Sequence, residues 1–288
     1  MSSTDRPAPP GTGSPAPPGT DSPVPPGTGW PDDPATPATP VAGSPAAVRR
    51  LAATAGTLAE LVARESVCRA CPRLVAWREQ VATAKRRSFQ DERYWGRPIP
   101  GWGAERPRVL IVGLAPAAHG ANRTGRMFTG DSSATWLVRA MHRAGFASQP
   151  TSLRRGDGLR LLDAYMTAPV RCAPPGNKPT ARELARCLPY LEREVAVLRD
   201  VRVLVALGRI AFDVCRRLLR RSGADLRGVS FGHGACYEFG GGRPALVASY
   251  HPSRQNTNTG KLTEPMLDAV FRAARALVDR DAARTAAG

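Results

Sequence analysis

Short runs of Val, Leu and Ile alternate along this chain with segments of helical periodicity, and that alternation restricts the fold more than any other feature. Apolar runs occupy 108–112, 165–170, 201–207 and 244–249, while 132–144, 180–198, 209–221 and 262–279 repeat their apolar residues at helical spacing. A strand that is apolar along its whole length is covered on both faces, and parallel strands need crossovers long enough to hold a helix. The pattern therefore predicts an α/β protein, a three-layer α/β/α sandwich around a mainly parallel four-stranded sheet. Local signals agree with it. Thr180-Ala181-Arg182-Glu183 after Pro179 is a capping box, and Gly208 ends the 201–207 run abruptly, as a strand that feeds straight into a helix should. A further helical pattern, carrying Leu51, Leu58, Leu61 and Val62, runs from 48 to about 64.

The first 47 residues read differently. Pro7-Ala8-Pro9-Pro10-Gly11-Thr12 returns in near-copies beginning at Pro15 and Pro23. Sequence of this kind buries too little apolar surface to offset its ordering entropy, so 1–47 is expected to be a disordered Pro/Gly-rich tail and 48–288 the folded domain. The tail has no basic region followed by an apolar one, and no stretch of 18 apolar residues occurs, so the expectation is a cytoplasmic, nucleoid-associated protein with no membrane partner. The chain's net charge is +17; the tail contributes −3, which leaves +20 on the remainder. So basic a domain points toward nucleic acid, although anionic metabolites and a composition rich in Arg and Ala would also raise the figure.

Two loops carry the chemistry. Residues 113–131 leave the carboxyl end of a strand, where open α/β sheets place ligands. This loop holds Gly113, Gly120, Gly125 and Gly130, which let backbone approach a ligand closely, together with Arg123, Arg126, Asn122, the flat ring of Phe128, and Asp131 at a helix start. An ordinary basic connector is the plainer reading, but long ordered loops are more often functional. The second loop, 250–260, places His251 immediately after a strand that Pro252 stops. His119, His142 and His233 take the plainer reading of surface or internally satisfied histidines.

Six cysteines are present. Without a secretion signal, a disulfide framework is not expected. Cys68-x-x-Cys71 forms a two-thiol claw, with Cys172 and Cys187 as its partners across the sequence. Four such thiolates can hold tetrahedral zinc or an iron–sulfur cluster, and spacing alone leaves zinc, Fe–S and no metal all open. Cys215 and Cys236 read as structural residues, since free cysteine is usually a small buried hydrophobe.

Taken in order, Cys71-Pro72-Arg73-Leu74, the loop 113–131, Val170-Arg171-Cys172-Ala173-Pro174-Pro175-Gly176-Asn177, Val205-Ala206-Leu207-Gly208-Arg209 and the stretch from His251 to Thr263 resemble the uracil-DNA glycosylase superfamily. The likeness is greatest to its family 5, or type b, and covers about residues 60 to 280. It implies a uracil-DNA glycosylase-like fold. It also implies a monofunctional hydrolase that flips uracil, and other deaminated bases such as hypoxanthine, out of double- or single-stranded DNA and cleaves the N-glycosidic bond. The resemblance further implies a [4Fe–4S] cluster on Cys68, Cys71, Cys172 and Cys187, and a monomer. It assigns Asp131, Asn177 and His251 to catalysis: His251 to donate to a uracil carbonyl, Asp131 and Asn177 to position water, Asp131 also to stabilise a cationic sugar. Gly113, Ala115, Phe128 and His251 would bind the base. Arg123, Arg126, Ser253, Arg254 and Asn256 would bind DNA. Many branches place Asp or Asn early in the first motif, where this chain has Ala117; that is the family 5 pattern, and it leaves the general base unassigned. A non-catalytic Fe–S protein that binds nucleic acid is the alternative. A nucleotide-metabolising enzyme is disfavoured, because neither a Walker-type nor a Gly-x-Gly-x-x-Gly sequence occurs.

Overall fold

In the computed structural model, which describes residues 22–286, four parallel strands form the centre of one sheet. They are β2 (Val109–Val112), β3 (Ala164–Thr167), β4 (Val203–Leu207) and β6 (Ala245–Ser249). Two-residue antiparallel strands, β1 (Trp102–Gly103) and β5 (Cys236–Tyr237), close the edges and give the order β1-β3-β2-β4-β6-β5. The parallel core was legible from its apolar runs; the edge strands are too short to leave a periodic signal.

Alternate strand residues feed two cores. Val109, Ile111, Val203, Val205 and Val247 face α5 (Ser132–Arg143) and α9 (Glu264–Ala286), where Leu137, Met141, Val270 and Phe271 cover them. Leu110, Leu204, Ala206 and Leu246 face α6 (Ala181–Val197) and α7 (Arg209–Arg221), meeting Leu188, Leu191, Phe212 and Leu219. Every residue of these four strands is buried, as sheets sandwiched between helices require.

Register brings the functional loops together. Val112 pairs with Thr167 and Leu207 with Ser249, so all four strands end at one edge. Strand β2 has β3 on one side and β4 on the other, which makes its carboxyl end a topological switch point.

Several expectations need correction. The 48–64 helix is two, α1 (Pro45–Ala53) and α2 (Leu58–Ser66), because Gly56 interrupts the run and Thr57 caps the second helix. The strand expected at 165–170 ends at Thr167, which frees Val170 to Cys172 for the cysteine region. A helix over Pro72–Ala84, α3, was not foreseen. The tail boundary at residue 47 also moves. Residues 1–21 lie outside the described residues, but from residue 22 the chain packs against the domain. Val24 is buried and its N–H donates to the Trp95 carbonyl at 3.0 Å. Trp30 contacts Trp95 at 5.7 Å between centroids, and Asp33 accepts two bonds from Arg97 at 2.7 and 2.9 Å. A proline-rich strap has little backbone freedom to lose, so a few apolar anchors and one ion pair suffice to dock it. Cys215 is buried as expected, whereas Cys236 is exposed on the edge strand β5.

Candidate active site

The loop that leaves β2 folds back so that Phe128 returns to its beginning. Phe128 is nearly buried and takes a left-handed backbone conformation, φ 49°. Its ring lies so close to Gly113 that a Cβ at that position would meet Phe128 Cζ at 2.7 Å. Only glycine permits this approach. From the opposite loop, the His251 ring comes to 6.3 Å from the Phe128 ring at a 33° tilt. Gly113, Phe128 and His251 are thereby gathered at the carboxyl edge of the sheet. Burial pushes the imidazole pKa down to about 4, so His251 is neutral at pH 7.

Asp131 caps helix α5: Oδ1 accepts from the Ala134 N–H at 2.9 Å. Its other oxygen lies against Gly120, where any side chain would overlap it. Burial raises its pKa, opposed by the Ala134 and Ser133 amides and by the charges of Arg123 and Arg254. Arg254 reaches across from the His251 loop, its Nε donating to Ser132 Oγ at 3.2 Å, so the two loops meet at the start of α5.

The His251 loop is held from within. Asn256 Nδ2 donates to the His251 carbonyl at 2.8 Å, and Ser253 caps the short helix α8 (Arg254–Asn258). Asn256, expected at the DNA, is thus a staple that fixes the His251 backbone. Arg254 alone of this group is exposed.

The two arginines of the first loop also require correction. Arg123 is buried, pairs with Glu92, stacks on Phe89 at 4.0 Å, and donates to the carbonyls of His119 and Gly130 at 2.9 and 3.1 Å. Arg126 is buried over Trp102 and binds both oxygens of Asp157 at 2.8 and 2.9 Å. Neither guanidinium faces solvent; both brace the loop that carries Phe128 and Asp131. Asn177 is exposed in a left-handed conformation (φ 56°) on the single turn Pro175–Asn177, and among the described residues no contact joins it to His251, Phe128 or Asp131. Ala115 packs against the cluster of Leu74, Val170 and Cys172.

Comparison with known proteins fits this geometry. Residues 100–275 match the Uracil DNA glycosylase superfamily. The chain belongs to the uracil-DNA glycosylase superfamily. Over 228 residues it is 57% identical to the Type-5 uracil-DNA glycosylase of Mycobacterium tuberculosis, covering 79% of this chain and 84% of that protein. Identity to the Type-5 enzyme of Thermus thermophilus is 53% over 212 residues, 74% and 94% of the two chains. The Type-4 enzyme of Pyrobaculum aerophilum is more distant, 33% over 164 residues, 56% and 74% of the two chains.

In this member of the superfamily, Cys68, Cys71, Cys172 and Cys187 line one cavity between α1, α3, α6 and the loop after β3. All four are free thiols. Burial first, and the other thiols second, raise Cys187, while Cys71 is pushed up to about 11. Buried Arg78 donates to Cys172 Sγ at 3.0 Å and to the Cys68 carbonyl at 3.1 Å. Among the described residues no three Cys, His, Asp or Glu side chains converge closely enough to take one ion. Behind the cavity, Arg171 pairs with Glu194 at 2.7 Å and with Glu65 at 3.3 Å, all three buried. Sequence reading missed Arg78, Asp157 and the Glu65–Arg171–Glu194 network, because each acts on a partner far away in sequence. Gly156-Asp157-Gly158 does carry a turn signature, which could have singled out Asp157.

Proposed function

We propose that this protein removes uracil from DNA by hydrolysing the bond between the base and C1′, with His251 as the donor to the departing base. The observation that carries the reading is a half-buried, neutral imidazole beside Phe128 at the switch point of a sheet that belongs to this superfamily. When the glycosidic bond breaks, its electron pair leaves with the base and positive charge develops on the sugar. Neutral His251 donates a hydrogen bond to a uracil carbonyl oxygen as that negative charge grows, a contribution of about 3–4 kcal/mol for a well-aimed donor. Phe128 gives the extruded base an apolar face. The Asp131 carboxylate stabilises the sugar cation and orients the water whose oxygen joins C1′, and the proton that this water releases balances the negative charge of the departing base. Ala117 supplies no base, so the reaction depends on leaving-group stabilisation, and other deaminated bases such as hypoxanthine fall within its reach. Asn177 reaches the site only if its exposed turn closes on bound DNA. The protein acts as a monomer.

The four cysteines are proposed to hold a [4Fe–4S] cluster. Their chemistry fits one: four free thiols line a common cavity, and a buried guanidinium meets one of them. A single zinc ion would need them drawn together at bonds of about 2.3 Å. When bound, the cluster supplies four Fe–S(Cys) links that tie the Cys68–Cys71 segment to the loop after β3. Cys172 and Asn177 share that loop, so the same link steadies the turn on which Asn177 sits. Iron and sulfide analysis of purified protein tests this, with Cys172→Ser expected to lower both; zinc in their place would overturn it.

The central test is a duplex with one U·G pair, incubated with protein and then cleaved by alkali. Strand breakage is expected, and His251→Ala should lower the rate by about 100-fold or more. Binding without breakage would support the non-catalytic alternative instead.

A further inference from the structure

We propose that His233 is a positioning residue for excision, whose ring fixes the backbone from which His251 donates; the proposal rests on the reading of His251 as the donor to the departing base. A donor aimed at developing charge works only at the right distance and angle, so whatever fixes residues 250–252 fixes the donor. After His251 the loop is stapled by Asn256. Before it, the Tyr250 N–H donates to His233 Nδ1 at 3.1 Å.

That bond stands where the sheet runs out of backbone partners. Beyond the paired residues of β5 and β6, the Ala248 N–H donates to the Ala235 carbonyl at 2.9 Å, and the Gly234 N–H donates to the Ala248 carbonyl at 2.8 Å. Gly234 has φ 76°, so two residues of one chain oppose Ala248, the pattern of a bulge opened by a left-handed glycine. The Ala235 N–H also closes a turn onto the Gly232 carbonyl at 3.1 Å. This turn carries the chain off the ladder just before it reaches Tyr250, and the imidazole nitrogen of His233 takes the place of the missing carbonyl.

The ring is held as well as placed. It stacks on the Tyr250 ring at 5.0 Å between centroids and a 29° tilt, while Phe231 lies 6.1 Å from that ring and Lys261 Nζ 5.0 Å from its centroid. Burial lowers the His233 pKa, opposed by a hydrogen bond to the Met266 backbone in the first turn of α9, so the ring is neutral at pH 7. Nδ1 accepts, which leaves the ring proton on Nε2. His233 thus ties the residue before His251 to the turn at 232–235 and to α9. Asn256 and His233 clamp the donor from both sides, one on its carbonyl and the other on the preceding amide.

The test separates the acceptor from the stack. His233→Phe keeps an aromatic ring against Tyr250 but loses the acceptor, whereas His233→Asn loses the ring and keeps an acceptor oxygen near the place of Nδ1. Both are compared with wild type on a U·G duplex, by single-turnover excision at saturating protein and by fluorescence anisotropy for binding. His233→Phe should slow excision by about tenfold or more with duplex affinity unchanged, because a misaimed donor loses its bond only in the transition state. His233→Asn should recover most of that rate. In a His251→Ala background, His233→Phe should cost nothing further, since no imidazole is left to aim. No loss in His233→Phe, a loss that follows DNA affinity, one that Asn does not recover, or one that persists in full without His251 would overturn the proposal. The clamp is also read without catalysis, by hydrogen exchange of the Tyr250 amide and by the His251 Hε1 signal. In His233→Phe the amide should lose protection and the signal should move. Unchanged values would overturn the proposal even if wild type releases no uracil, in which case the excision reading fails separately.

Discussion

His251 should remain uncharged well below the pH at which an ordinary histidine protonates. Its pKa is lowered from 6.5 to about 4 by burial against the wall formed by Phe128 and Gly208. At pH 5.5 a histidine with the ordinary value is about 90% protonated, and one at 4 about 3%. The unfolded chain takes up this proton first. Stability therefore falls as pH drops from about 6.5, and the decline from this group ends near pH 4 with a total of about 3 kcal/mol. His251→Gln removes the group, so its stability profile should be flatter than wild type over that window by up to this amount. The direct measurement is an NMR titration of imidazole Hε1 signals, only four in this chain, with His251 assigned by its loss in His251→Gln. In the same window, excision should not lose rate through a step with a midpoint near 6.5. Any acid limb belongs instead to Asp131, whose pKa burial raises above the ordinary carboxylate value. A His251 signal that titrates near 6.5 would refute the argument, because an imidazolium at the leaving group would then be available at mildly acidic pH.

Asp131→Asn separates capping from charge: asparagine caps as well as aspartate, so stability should hold while excision falls about 100-fold or more, whereas Asp131→Ala should also lose about 1 kcal/mol in denaturant melts. Gly113→Ala should cost about 1–3 kcal/mol, because the new methyl meets the Phe128 ring at 2.7 Å, and should reduce excision together with stability. Arg126→Ala should destabilise by about 3–5 kcal/mol by leaving Asp157 buried and unpaired, yet leave the salt dependence of DNA binding unchanged, while Arg254→Ala should lower the slope of log K against log salt by about 1 with little change in stability.

The central sheet was readable because a fully buried strand must be apolar throughout, and each of the four core strands is. That the loops carrying Phe128, Asp131 and His251 meet at one edge of the sheet was readable for a related reason: loops that leave parallel strands at a switch point have a known destination even when their conformation is unknown. The strap from residue 22 was misread because its composition matches a disordered tail. What docks it is a handful of partners, Trp95 and Arg97 among them, that lie more than 60 residues away in sequence. The break at Gly56 and the edge strands failed for want of length. Neither a nine-residue helix nor a two-residue strand leaves a periodicity that stands above its neighbours.

Charge was the most instructive misreading. A net +20 on the domain suggested a DNA-facing surface, and Arg123 and Arg126 in a functional loop looked like part of it. Both point inward, as do Arg78, Arg97 and Arg171, and each of the five is tied to a carboxylate. Guanidinium suits this use because its planar fork can satisfy several acceptors at once, so it can brace an irregular loop that has no strand or helix bonds of its own. Arginine count therefore overstates the phosphate-binding face. Exposed cations do remain near that edge of the sheet, Arg209, Arg254 and Lys261 among them. The buried arginines brace the loops around the pocket through their carboxylates, and the outward ones stand exposed to meet phosphate. Substitutions in the first group should therefore act through stability, and those in the second through affinity and salt.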